Sequence, residues 1–292
     1  MQLGPGDDAA VVAFPDGRTV ISVDMLVSGV HFRTDWASGE QIGRRAALAA
    51  MADIAAMGAA PTGLVVALAA PADTSADLVA AIGRGLTEAA AEVGAGLVGG
   101  DLTRSPVLTI SVTVFGDLRG GRPVLRSGAR PGDEVAVCGR LGWAAAGLTV
   151  LSRGFRSPAA LVSAYRMPEP PLAAGITAGE AGATAMIDVS DGLLADLGHI
   201  ARASDVSINV RSAALNVNPR LVEVASALGK DPLEWVLTGG DDHALVATFP
   251  AGATLPSGWE RIGLVGAPGE PGPQVTVDGR LHEGAAGWDH FA

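Results

Sequence analysis

The chain has 292 residues, 48% of them hydrophobic, and a formal charge of −11. Length and apolar content supply two ordinary domains, each with its own core, while the acidic balance argues against nonspecific binding to nucleic acid or to an anionic membrane. A single cysteine, Cys138, excludes an intrachain disulfide and reads as a core residue in a reducing compartment. In chain order, AAVVAF and TVISVDML read as strands joined by the Pro15–Gly17 turn, most simply as a hairpin. Small apolar residues at helical spacing (Ile42, Ala46, Ala49, Ala50, Ile54) predict a helix from Glu40 to about Met57, stopped by Gly58. Asp53 falls on that apolar face, where an unpaired carboxylate is expensive, so a partner is expected. GLVVALAAP predicts a strand, Ser75 to Val93 a helix, GLVGGDLT a strand and turn, and VLTISVTVFG an alternating strand. Asp53, Gly58 and Pro61 break the most apolar stretch below the roughly 20 residues of a membrane span. With no signal peptide ahead of it, the expected location is the cytoplasm.

From Asp117 to Pro131 the periodicity fades and glycine, proline and arginine accumulate. The predicted organisation is therefore an α/β (α+β) N-terminal domain over 1–117, a linker over 118–131 and a C-terminal α/β domain over 132–292. The second domain opens with DEVAVCG and continues through helical stretches to the strand AMIDV and the helix GLLADLGHIARAS. A long connection then leads to the strand HALVATF and the late strands RIGLVG and QVTVDG.

Eight carboxylates sit beside or close to glycine or serine at the ends of short apolar runs: Asp7, Asp8, Asp24, Asp101, Asp188, Asp191, Asp241 and Asp242. Acid beyond the carboxyl end of a strand stands where open α/β sheets bind ligands. Two such charges about 4 Å apart repel by about 4 kcal/mol at an effective dielectric near 20, so a cluster calls for cations or protons. Oxygen-only ligation favours Mg²⁺ with phosphate. In IDVSDGLLADLGHIA, Asp188 ends a strand and Ser190 or Asp191 can cap the next helix, whose free N–H groups favour phosphate; Asp196, deeper in that helix, reads as solvated. His31 follows the SVDML strand. Arg126 and Arg130 can grip phosphate or remain solvated linker residues. GxxxxGK[ST] is absent and Lys230 is the only lysine, which excludes a Walker-type ATPase; the kinase signatures built on a strand lysine and HRD are missing too.

The order and spacing of GDDAAVV, SVDMLVSGVHF, MADIAAMGA, GGDLTR, LRSGARPGD, IDVSDGLLADLGHIA and TGGDDHAL resemble the thiamine-monophosphate kinase family of the aminoimidazole ribonucleotide synthetase-like superfamily, over nearly the whole chain. The resemblance implies ATP-dependent phosphorylation of thiamine monophosphate by direct transfer. It implies the two-domain fold of that superfamily, with the N-terminal mixed sheets of two chains forming a barrel in a homodimer. Carried over by position, Asp8, Ser22, Val23, Asp24, Asp53, Asp101 and Asp188 would hold Mg²⁺, and Asp191 a further ion. Gly100, Asp101, Arg126 and Ser190 would contact ATP, and His31, Asp241 and Trp288 the thiamine substrate. Phosphoryl transfer asks for positioning and charge neutralisation, and a substrate phosphate is already ionised, so no catalytic side chain is expected. The chain departs from the family at three points. Only Met1 to Leu3 precede the glycine-rich turn, where the family carries a helical segment. Val23 replaces a common threonine, leaving its backbone carbonyl as the ligand. Asp241 stands where GGEDYEL has glutamate. The alternatives are another ATP-dependent enzyme of the superfamily, a multi-metal phosphatase, or a noncatalytic nucleotide or cation binder.

Overall fold

The computed structural model describes residues 14–288, and two compact units divide the chain. One comprises Met1–Ala55 with Ala59–Gly121, the other Ala56–Gly58 with Arg122–Ala292. Asp7 and Asp8, and most of the AAVVAF strand of the expected hairpin, lie outside the described residues. Within those residues no helix is long and apolar enough to cross a membrane.

In the first unit, strands β1 (Val20–Val27), β2 (Ala60–Ala70), β3 (Gly96–Arg104) and β4 (Thr109–Asp117) form one sheet in the order β1-β4-β2-β3. β4 pairs antiparallel with β1 and with β2, and β2 pairs parallel with β3. Strict alternation in β4 buries Ile110, Val112 and Val114 and leaves Thr109, Ser111, Thr113 and Phe115 part-exposed, as a one-sided sheet requires. Helices α1 (Gly39–Ala56) and α2 (Ala76–Glu92) belong to the covered side. A reciprocal cap starts α1: Ser38 Oγ accepts from the Gln41 amide at 3.3 Å, and Gln41 Oε1 accepts from the Ser38 amide at 3.0 Å. The two helices meet backbone to backbone, because a Cβ on Gly43 would lie 2.0 Å from the Ile82 carbonyl oxygen and one on Gly85 2.0 Å from that of Glu40.

The second unit carries β5 (Glu134–Cys138), α3 (Trp143–Ser152), α4 (Ala159–Arg166), α5 (Leu172–Glu180), β6 (Ala185–Val189), α6 (Leu193–Ser204), β7 (Ser207–Val210), α7 (Pro219–Leu228), α8 (Pro232–Thr238), β8 (Ala244–Phe249), β9 (Trp259–Gly266), β10 (Val275–Val277) and β11 (Arg280–Leu281). Its sheet runs β11-β10-β7-β9-β5-β8-β6. Every residue of β6 and β8 is buried, which fits their mainly apolar sequences, AMIDV and ALVATF. Cys138 is a buried residue of β5, and burial pushes its thiol pKa up. The long connection expected before HALVATF in fact holds β7, α7 and α8, the helices started by Asn218-Pro219 and Asp231-Pro232, with both acceptor side chains capping and proline in the first turn. The expected turn at GGD is also corrected: β3 runs on through Gly99, Gly100 and Asp101 to Arg104, paired with β2 throughout.

Candidate active site

In the first unit, Ser22 and Asp24 alternate on one side of β1 with the exposed Ile21, Val23 and Met25 on the other. Asp53, part-exposed on α1, receives a hydrogen bond from Ser22 Oγ at 2.5 Å, which supplies the partner that its apolar helix face required. Asp24 Oδ1 accepts from the Met25 amide at 2.7 Å. His31 closes the turn after β1: its Nδ1 accepts from the Val27 amide at 3.0 Å, and its own amide donates to the Val27 carbonyl at 2.9 Å. Nδ1 is thereby committed to the backbone.

Asp101 is placed apart from that group. Register runs Asp24–Val112–Val66–Gly100 across the sheet, so β1 and β3 are three strand spacings apart, about 14 Å. Asp101 is the next residue along β3, and by strand alternation it takes the other side, in register with Ala67, Ser111 and Met25. Gly100 is dictated by packing, because a Cβ there would lie 2.2 Å from the Val66 carbonyl oxygen.

The second unit gathers most of its predicted residues at the end of β6. Asp188, 4% exposed, meets His243 Nδ1 through Oδ2 at 3.1 Å. Backbone bonds then bring three chain segments together. The Asp241 amide donates to the Ser190 carbonyl at 2.8 Å, the His243 amide to that of Val189 at 2.9 Å, and the Trp288 amide to that of Asp191 at 2.9 Å. Glycine permits two of these approaches: a Cβ on Gly240 would sit 2.3 Å from the Ser190 carbonyl oxygen, and one on Gly287 2.4 Å from that of Asp191. Arg126 lies in a 3₁₀ turn (Arg126–Gly128), its side chain exposed and its carbonyl accepting from Ser204 Oγ at 2.7 Å. Arg130 is exposed, and its amide donates to Asp133 Oδ2 at 2.9 Å.

Two expectations change here. Neither Ser190 nor Asp191 caps α6, whose N-cap Gly192 makes no side-chain cap bond. Asp196 does that work from inside the helix, its Oδ2 accepting from the amides of Asp191 at 3.1 Å and Gly192 at 3.0 Å. Far from being solvated, Asp196 is 2% exposed; burial first, and the charge of Asp188 second, push its pKa up to about 7. A signal was present in the sequence, namely an acid four residues after the glycine that opens a helix. Ligand atoms of Asp191, Asp196 and His199 lie within 4.8 Å of one another, a grouping that the sequence reading had not singled out. Beside them is a cavity of about 420 Å³ lined by Asp191, Leu194, His199, Arg202, His282 and the exposed Trp288, within the size range of small-molecule sites. The hard oxygen donors Ser22, Asp24 and Asp53 in one unit, and Asp188 and Asp191 in the other, are of the type magnesium takes.

Comparison with known proteins decides the family. The family model for AIR synthase related protein, N-terminal domain, matches residues 6–118. Thiamine-monophosphate kinase from Mycobacterium tuberculosis is 50% identical over 291 residues, covering 99% of this chain and 86% of its own length. The chain belongs to the thiamine-monophosphate kinase family. Thiamine-monophosphate kinase from Corynebacterium glutamicum is 42% identical, with 98% of this chain and 88% of that protein covered. Among solved structures, AaThiL complexed with AMPPCP and TMP superposes with a TM-score of 0.88 at 32% identity, over 98% of this chain and 91% of that one. The two-unit α/β fold is therefore that of the kinase family, as the motif order implied.

Proposed function

We propose that this protein transfers the γ-phosphate of ATP to thiamine monophosphate, producing thiamine diphosphate, as a Mg²⁺-dependent cytoplasmic homodimer. The observation that carries the reading is the near-complete superposition on AaThiL complexed with AMPPCP and TMP, joined to 50% identity with a named thiamine-monophosphate kinase. A phosphate oxygen of thiamine monophosphate attacks the γ-phosphorus in line. The new P–O bond forms as the bond to the β-phosphate oxygen breaks, and ADP leaves. The nucleophile needs no base, since it is ionised at neutral pH. Bound magnesium supplies charge neutralisation and alignment of the phosphates.

Ser22, the Val23 carbonyl, Asp24, Asp53, Asp101 and Asp188 are assigned to magnesium, and Asp191 to a further ion; Asp8, outside the described residues, keeps the same assignment. Gly100, Asp101, Arg126 and Ser190 are assigned to ATP, and His31, Asp241 and Trp288 to the thiamine moiety. The backbone bonds joining Ser190 to Asp241 and Asp191 to Trp288 support this division, because they set a residue assigned to ATP and one assigned to a metal ion beside residues assigned to the thiamine moiety.

One feature supports the homodimer. Ile21, Val23 and Met25 are 58%, 62% and 54% exposed on one side of β1, an apolar patch that a second sheet would cover. Incubation of the purified protein with ATP, Mg²⁺ and thiamine monophosphate is expected to yield thiamine diphosphate and ADP in equal amounts. Absence of product would overturn the reading, and phosphate release without ATP would point to a phosphatase instead.

A further inference from the structure

His243 has no role in the reading above, and it occupies the place where the family pattern GGEDYEL has tyrosine. Its side chain and that of Asp188 are 9% and 5% exposed, and Nδ1 lies 3.1 Å from Asp188 Oδ2. An ionised carboxylate only accepts hydrogen bonds, so Nδ1 carries the hydrogen. The imidazole is itself held. His243 sits at φ +53°, a left-handed conformation uncommon outside glycine and asparagine. Its amide donates to the Val189 carbonyl, one residue beyond Asp188.

We propose that His243 is a positioning residue for a divalent cation at Asp188: by holding Oδ2 it fixes the carboxylate plane and presents Oδ1 to the ion. This rests on Asp188 being a magnesium ligand. The physical reason is twofold. A buried carboxylate with one oxygen fixed loses little further freedom when a cation binds the other. A hydrogen-bond donor behind a ligand also removes the cost of leaving that oxygen desolvated and unpaired. Partners of this kind typically govern metal affinity by 10–100-fold.

The test uses the full-length protein with Mn²⁺ as probe, following loss of the free-ion electron paramagnetic resonance signal on titration, with melting in EDTA as the control for folding. His243→Leu removes the donor. His243→Asn restores a donor at nearly the Nδ1 place and tolerates φ +53°. Asp188→Asn marks the Mn²⁺ site that depends on Asp188. The expected result is that His243→Leu weakens that site about 10–100-fold, that His243→Asn recovers most of the loss, and that His243→Leu adds nothing in the Asp188→Asn background. All variants are expected to melt cooperatively in EDTA. Wild-type Mn²⁺ binding by His243→Leu, with Asp188→Asn impaired, overturns the positioning role alone. Failure of His243→Asn to restore affinity, or loss of cooperative melting in step with affinity, also overturns it in favour of a packing role. Unchanged binding by Asp188→Asn overturns the metal assignment itself.

Discussion

Asp242 carries an electrostatic cost. It is buried, its Oδ1 accepts from the Ala144 amide at the start of α3, and its Oδ2 is buried without a hydrogen-bond partner. Burial pushes its pKa up to about 7, against the pull of the Ala144 and Gly142 amides. A carboxyl raised in this way binds more protons folded than unfolded, so its cost is absent below about pH 4, grows through pH 4–7 and is complete above pH 7. Asp242→Asn keeps the helix-capping oxygen and removes the charge. It should therefore match the wild type in denaturant near pH 4 and exceed it above pH 7, by about 2–4 kcal/mol; equal midpoints at pH 8 would contradict the assignment. Asp101→Asn tests the proposed magnesium role. Bound cations contribute several kcal/mol to such transfers, so turnover should fall at least about a hundredfold with the melting temperature unchanged, and a fully active variant would remove Asp101 from the ligand set. Asp24 and Asp188 were legible as site candidates from residue type and position alone, whereas Asp53 joined the candidates only through the family resemblance. The burial of Asp196 and Asp242 was not legible, because each is created by a backbone path that folds amides onto a carboxylate, and no periodicity encodes that path.

At the scale of elements, the contact between α1 and α2 is set by two glycines. Gly43→Ala would drive a methyl group into the Ile82 carbonyl, and Gly85→Ala into that of Glu40. Each should cost roughly 1–3 kcal/mol as the helices are forced apart, read as a melting temperature lower by several degrees, whereas Gly83→Ala, which meets nothing within 4 Å, should be neutral or stabilising. Most elements were legible because their patterns are strong, as in the alternation of β4 or the helical run that opens at Ser75. GGDLT misled for a physical reason: glycine there serves close approach of β3 to the Val66 carbonyl, and that packing need produces the same residue as a turn would. The connection after α6 concealed α7 and α8, although an Asn-Pro and an Asp-Pro pair stood at their starts, because both helices are short.

For the whole molecule, the acidic charge and the patch on β1 make opposite demands. Net charge keeps copies apart, while exposed Ile21, Val23 and Met25 favour covering. Paired changes Ile21→Lys and Met25→Lys leave the covered core side untouched. They should convert a dimer to a monomer in light scattering; a wild-type monomer at micromolar concentration would exclude the homodimer. The segment at Gly287 and Trp288 bears on the making of the molecule. Synthesis produces the loop at Ser190–Gly192 long before the residues that pin it, and β11, the last strand among the described residues, is complete by Leu281. A chain cut ahead of Gly287 can therefore finish both sheets, pass every test of secondary structure and still lack the grip on Asp191. Preparations containing clipped chains should then show fewer substrate-binding sites than protein molecules, a shortfall that intact-mass measurement, not circular dichroism, would explain.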